Sequence, residues 1–151
     1  MSAVAETRIR RGQLVDMPAI ATLLESAGLP TADLTCAADF QTWVIEAHGT
    51  LLAAIGLERF GDVALLRSLV VAPAQRERGL GQELVTRLER DARAAGITRL
   101  VLLTETAEEF FRRRGYFVTD RREVSDRVKQ SAEFRSLCPV SAVCMSKALR
   151  A

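Results

Sequence analysis

Apolar and polar positions along the chain change period several times, and each change marks an element. Residues 7–11 read as a short strand, and after Asp16, read as an N-cap, Ile20, Leu23 and Leu24 recur at helical spacing until Gly28 stops them. Residues 30–38 carry turn formers and small side chains, predicting a loop or one short helix. Residues 40–47, with aromatic and β-branched side chains, predict a strand that ends in a His48-Gly49 turn. Residues 51–58 and 63–71 predict an antiparallel hairpin about Phe60-Gly61-Asp62. From Gly79 the period becomes helical: Leu80, Leu84, Val85, Leu88 and Ala92 share one face, Glu83, Arg87, Arg90 and Arg93 the other, and Gly96 ends the run. Residues 99–103 form a nearly continuous apolar run of the kind buried inside a sheet. Strand, helix and strand in that order make a right-handed crossover with parallel neighbours. Residues 106–114 then predict a helix ending at Gly115, residues 116–119 a strand, residues 123–134 a polar helix or loop, and residues 142–145 a last strand.

The junction Val71-Ala72-Pro73-Ala74-Gln75-Arg76-Glu77-Arg78-Gly79-Leu80-Gly81 carries the most specific chemistry. An apolar strand ends, a Pro-anchored loop follows, and closely spaced glycines open an amphipathic helix. There, successive N–H groups and the positive end of the helix converge on a place suited to a pyrophosphate. Gly79 and Gly81 lack Cβ atoms, so an anion can come close to the backbone.

Composition narrows what such a cradle serves. A chain of 151 residues, 48% hydrophobic, suits one domain over residues 1–151. The net charge of +2, from 21 basic and 19 acidic residues, points to neither a nucleic-acid footprint nor a membrane-surface patch. No apolar run approaches the roughly 20 residues that span a bilayer, and residues 1–11 lack the apolar core of a secretion signal, so a cytoplasmic location is expected. Cys36, Cys138 and Cys144 are odd in number and read as free thiols, and with His48 alone beside them no metal site is expected.

The order of elements and two motifs resemble the GNAT superfamily of acyl-CoA-dependent N-acetyltransferases. Arg76, Gly79 and Gly81 fall on its signature of Arg or Gln, two residues, Gly, one residue, Gly or Ala, and Ala107-Glu108-Glu109-Phe110-Phe111-Arg112-Arg113-Arg114-Gly115-Tyr116-Phe117 is similar to its second, aromatic-rich segment. The resemblance implies a mixed α/β sheet of six to seven strands with a splayed central parallel pair and flanking helices. It implies acetyl-CoA as cosubstrate, its arm lying along Leu69, Val70 and Val71, its pyrophosphate on Arg78, Gly79, Leu80, Gly81 and Gln82 with Arg76 nearby, and Thr104 and Phe111 at the remaining contacts. More narrowly, Leu65-Leu66-Arg67-Ser68-Leu69, Leu102-Leu103-Thr104 and the segment from Ser136 to Met145 resemble a bacterial arsenic-resistance group of N-acetyltransferases. That suggests an arsenic-containing amino acid or related small amine as acceptor.

Acetyl transfer needs a neutral amine, a polarised carbonyl and a proton for the departing thiolate. A backbone N–H near Ser68 is the candidate for the second. Where relatives carry Tyr, this chain has Phe111, which has no proton to give, leaving Ser68, Tyr116 and Cys144 as candidate acids. Thr104 stands where Asn is common. Glu58 is the candidate base, with an exposed hairpin residue as the competing reading. Arg67, a charge inside an apolar strand that needs a partner or a cleft, and Arg121 are candidates for an acceptor's anionic group. The Arg112-Arg113-Arg114 run reads as a solvated helix end, although relatives use a basic residue here against the coenzyme. Two other functions stay open: acetylation of a protein or peptide N-terminus, and a non-catalytic acyl-CoA-binding or thiol-sensing regulator. Edge strands at residues 116–119 and 142–145 would pair across a homodimer.

Overall fold

The structure, a computed structural model, describes residues 6–29, 31, 40–131 and 141–149. Its strands are β1 (Arg8–Arg11), β2 (Phe40–Ala47), β3 (Thr50–Phe60), β4 (Val63–Val71), β5 (Arg99–Thr104), β6 (Phe117–Val118) and β7 (Val143–Ala148), in one seven-stranded sheet of order β1-β2-β3-β4-β5-β7-β6. The described α-helices are α1 (Met17–Ser26), α2 (Leu80–Ala94), α3 (Glu108–Arg112) and α4 (Asp126–Lys129). Among the described residues only β4 and β5 pair in parallel. The mixed α/β sheet with flanking helices is the expected architecture.

Two details of β4 shape the centre of the sheet. Its ladder with β5 pairs only Val63, Ala64 and Leu65 with Arg99, Leu100 and Val101, although both strands continue, so the expected splay opens from Leu66 onward. On the other side Val70 faces Ala54 and Arg67 faces Gly56, which leaves Ser68 and Leu69 together opposite Ile55. This is a β-bulge, and Ser68 sits in it at φ 61°, a left-handed conformation costly for a residue with a Cβ.

The alternation of each strand divides the core. Ile55, Leu57, Ala64, Leu66, Leu100, Leu102 and Met145 pack under Leu84, Val85 and Leu88 of α2, together with Phe111 and Tyr116. The opposite face carries Val44, Ala54 and Val70 beneath Ile20 and Leu24 of α1, and Leu65, Val101 and Cys144 beneath Val124 and Val128. Glu58 and Arg67, being two residues along from Gly56 and Leu65, fall on this second face.

Several sequence expectations change. Residues 142–145 are no edge: β7 lies between β5 and β6, and the edges are β1 and β6. The helix expected over 106–114 shrinks to Glu108–Arg112, because the Thr104 hydroxyl accepts the Ala107 N–H in a turn before it. Asp16 precedes α1 without capping it by its side chain; the carboxylate instead takes the Gln13 N–H and two bonds from Arg10. β3 runs on to Phe60, which places Glu58 within the strand, buried, rather than at an exposed turn. Cys36, Cys138, most of the 30–38 segment and residues 132–140 lie outside the described residues.

Candidate active site

The cradle is built by backbone conformation. A single-turn 3-10 helix, Pro73–Gln75, leads out of β4; then Glu77 at φ 67° and Gly79 at φ 78° turn the chain twice through left-handed geometry before α2 begins. The first intrahelical bond runs from Glu83 N–H to the Gly79 carbonyl, so the amides of Leu80, Gly81 and Gln82 face outward at the positive end of a 15-residue helix. A Cβ placed on Gly79 would meet nothing within 4 Å, so the space over this residue is open. Gly81 plays another part: its Cβ would stand 3.4 Å from the Phe110 ring and 3.8 Å from Val71, so its small size seats an aromatic ring rather than admitting an anion. A groove of about 540 Å³ runs from Gly79 and Gln82 along α2 past Thr86 to Arg90, with Ile9 on its far wall.

Basic side chains divide into two kinds here. Arg76 and Arg78 are exposed, Arg78 bonding Gln75 in its own loop. Arg112 and Arg113 pair with Glu108 and Glu109 on the outer face of α3. Arg114 turns inward instead, its guanidinium carbon 3.7 Å from the Phe110 ring centroid while it donates to the Phe110 carbonyl at 2.6 Å and to Gln82 Oε1 at 3.2 Å. Partial burial lowers the proton affinity of Arg114, and the neighbouring charge of Arg113 adds to the effect. Sequence reasoning read this side chain as solvated; its spacing from the aromatic pair was the available signal.

On the opposite face Glu58 and Arg67 come together. Arg67 Nη1 donates to Glu58 Oε1 at 3.4 Å, its Nε lies 3.4 Å from Ser68 Oγ, and its guanidinium stacks 5.7 Å from the Phe40 ring centroid. Phe40 in turn lies over Gly56, where a Cβ would fall 2.7 Å from the ring. The Arg67 side chain is 1% exposed and the Glu58 side chain 10%, so the carboxylate is the member of the pair that reaches the surface. The charge in the apolar strand therefore has its partner, and the bulged Ser68 lies directly beside it.

Other candidates stand elsewhere. Tyr116 is fully buried and donates to Glu89 Oε2 at 2.8 Å; burial, then the Glu89 charge, raises its pKa far above the usual phenol value, which removes it as a proton donor to the cleft. Phe111 is a core residue, edge-on to Phe110 and Tyr116, and Phe110 is the ring that reaches Gly81. Cys144 is buried on the Glu58 face, its thiol pushed up to about 11 by burial against an opposing pull from Arg121. Arg121 donates to the Ala142 carbonyl at 2.6 Å, at the entry to β7. Among the described residues no cluster of His, Cys, Asp and Glu is arranged to hold a metal ion, and no helix is long and apolar enough to cross a membrane.

This geometry agrees with the comparison of the chain with known proteins. Residues 16–116 match the acetyltransferase (GNAT) family model, and the chain belongs to that family. It is 37% identical over 75 residues to the amino-acid acetyltransferase of Pseudomonas fluorescens (strain Pf0-1), a match covering 48% of this chain and 17% of that much longer relative. Its fold is similar to N-acetylglutamate synthase from Neisseria gonorrhoeae complexed with coenzyme A and N-acetyl-glutamate, with TM-score 0.80 and 24% identity over 99% of this chain and 37% of that one. It is similar also to Rv2747 from Mycobacterium tuberculosis in complex with CoA and NLQ, with TM-score 0.75 and 24% identity over 95% and 99% of the two chains. At these identities the structural likeness concerns the fold.

Proposed function

We propose that this chain is an acetyl-CoA-dependent N-acetyltransferase acting on the amine of a small, amino-acid-like acceptor. The observation that carries the reading is the pairing of two features on one strand: β4 parts from β5 after three ladder positions, and leads directly into an open, left-handed glycine at the N-terminus of α2. A slot followed by an anion cradle fits a long thioester ending in a diphosphate.

In this reading the amides of Gly79, Leu80, Gly81 and Gln82 receive the diphosphate, with Arg76, Arg78 and Arg114 adding charge around it. The backbone of Leu69, Val70 and Val71 pairs with the amides of the pantetheine arm where the splay leaves that edge open. The bulge at Ser68 turns a backbone N–H of this stretch toward the thioester carbonyl, where developing negative charge is stabilised. Glu58 takes the proton of the acceptor ammonium; the amine nitrogen then bonds the carbonyl carbon, the carbon–sulfur bond breaks, and the second proton that the nitrogen gives up as the amide forms passes through water or the Ser68 hydroxyl to the departing thiolate. Thr104 shapes the turn at the far wall, and Phe111 holds Phe110 in place behind the cradle. Arg67 keeps Glu58 oriented, and Arg121 stands at the entry to β7 to meet an anionic group of the acceptor.

The amino-acid acetyltransferase relatives support an amino-acid acceptor. Within that class we favour one that carries a second anionic or metalloid group, such as an arsenic-containing amino acid, on the resemblance of residues 65–69 and 102–104 to that group of acetyltransferases. One observation favours a second reading, a binding module without turnover: Phe111 has no hydroxyl and that of Tyr116 is committed to Glu89.

A thiol-release assay with acetyl-CoA over a panel of amino acids and their arsenic- and phosphorus-bearing analogues separates the two. Turnover on a small amine is expected. Gly79→Asp, which puts a carboxylate in the cradle and a side chain at φ 78°, should weaken coenzyme A binding at least tenfold in a calorimetric titration. Unchanged affinity would remove the cradle, and tight binding with no acceptor above hydrolysis would favour the module.

A further inference from the structure

Behind the cradle lies a partly buried polar cluster that the acetyl-transfer chemistry does not use. Glu89 of α2 is buried and accepts from Tyr116 at 2.8 Å and from Lys147 Nζ of β7 at 3.0 and 3.1 Å, with Arg93 at 3.9 Å. Lys147 makes a further bond, at 2.8 Å, to the backbone carbonyl of Arg114. Its side chain crosses the corner at Gly115, where φ is 89° and a Cβ would stand 3.4 Å from Lys147 Cε. The ammonium also lies 5.5 Å from the Tyr116 ring centroid.

Two links thus hold Arg114 to α2, one at each end of the residue, the first through Lys147 of β7 and the second direct. Its carbonyl is tied through Lys147 to Glu89, and its guanidinium reaches Gln82 directly. Gln82 and Glu89 are two helical turns apart and share a side of α2. Between them α3 ends, with Phe110 seated on Gly81 and carrying the Arg114 guanidinium on its face. A buried ion pair is weak evidence for stability, since apolar replacements of similar volume usually serve as well or better. What a hydrogen-bonded lysine supplies and an apolar side chain does not is a defined position for one particular carbonyl.

We propose that Glu89, Lys147 and Tyr116 form a clamp that positions Arg114 at the mouth of the cradle, making Lys147 a positioning residue for coenzyme binding. The inference rests on the coenzyme reading given above and adds to it residues that touch no substrate. The clamp sets the gap between the start of α2 and the end of α3, and so decides whether the guanidinium faces the diphosphate.

The test is a double-mutant cycle read in coenzyme A affinity by calorimetry, with steady-state kinetics alongside. Arg114→Gln should weaken binding about tenfold, as loss of one charge-assisted contact does. Lys147→Met should reproduce most of that loss by raising KM for acetyl-CoA with kcat within about twofold. The double variant should bind no more weakly than Arg114→Gln alone, a coupling that a merely structural lysine would not produce. Should Lys147→Met fold poorly by stranding Glu89, the paired Glu89→Gln/Lys147→Met chain, which buries no net charge, carries the same expectation. Wild-type affinity in a folded Lys147 variant, or strictly additive losses, would overturn the clamp while leaving the coenzyme reading intact. Absence of coenzyme A binding by the wild-type chain would overturn the coenzyme reading and the clamp with it.

Discussion

At the scale of single residues the Glu58–Arg67 pair is the sharpest case. Two opposite charges lie on one face of an apolar sheet, 3.4 Å apart and buried. Removing one partner takes the opposite charge away from the other while it stays buried, whereas neutralising both leaves no buried charge. Arg67→Met should therefore cost roughly 3–5 kcal/mol in urea unfolding, and Glu58→Gln/Arg67→Met should recover most of it. If Glu58 is also the base, Glu58→Gln should slow acetylation by about a hundredfold or more in a chain that remains folded. A rate loss that merely tracks the unfolded fraction would reduce Glu58 to a structural role. The need for a partner at Arg67 was legible in the sequence, because a cation within Leu65-Leu66-Arg67 has nowhere inexpensive to go. The left-handed turns at Ser68 and Glu77 were not legible: neither residue type favours such a φ, and the bulge exists only through the register of β3 against β4. For the same reason Tyr116 read as an available hydroxyl, since its partner Glu89 sits on a helix distant in sequence.

Elements with a strong period were read well, and their pairing was read less well. The amphipathic α2 and the β3–β4 hairpin follow from spacing and turn residues that lie close in the chain. Insertion of β7 between β5 and β6 is a contact between distant segments, for which local pattern holds no signal. The start of α1 shows how such contacts redirect a side chain. Asp16 has the residue type of a cap, yet Arg10 of β1 donates to both its oxygens, at 2.8 and 3.0 Å, while also bonding Glu46 of β2. This clasp joins the outer two strands to the first helix. Arg10 holds the Asp16 carboxyl below its ordinary value near 3.8, so the stabilisation it gives is complete above that pH and is lost as the pH falls through the lower, folded-state value. Asp16→Asn should then lower the melting temperature by a constant amount between about pH 5 and 8, equivalent to roughly 1–3 kcal/mol. Below about pH 4 the wild-type and variant melting curves should converge. A gap that persists or widens in acid would show that the carboxylate's charge contributes nothing and that Asp16 acts through shape alone.

For the whole molecule the consequence lies in how its two halves are joined. Strands β1 to β4 form one continuous antiparallel block, and β5, β7 and β6 form another. Between them the ladder has only three residue pairs, supplemented by α2 and the core beneath it. A ligand whose arm bonds the free edge of β4, and whose diphosphate ties down the start of α2, lies along this seam. It should therefore stabilise the assembly beyond what its size suggests for a surface ligand. At a hundredfold excess over its dissociation constant, coenzyme A should contribute about 2.7 kcal/mol by mass action, raising the melting temperature of a chain this size by roughly 5–10 °C. The location of the effect is the stronger test. Amide exchange should slow at residues 69–71 and 79–82, and also across β5, because opening of the seam exposes both edges together. At the same coenzyme A concentration Gly79→Asp should reduce the shift and the protection in parallel, by about half or more for a tenfold or greater loss of affinity. Protection confined to the α2 start, with β5 exchanging as before, would mean that the ligand rests on the cradle without entering the splay, and the proposed placement of the thioester beside Ser68 would fall.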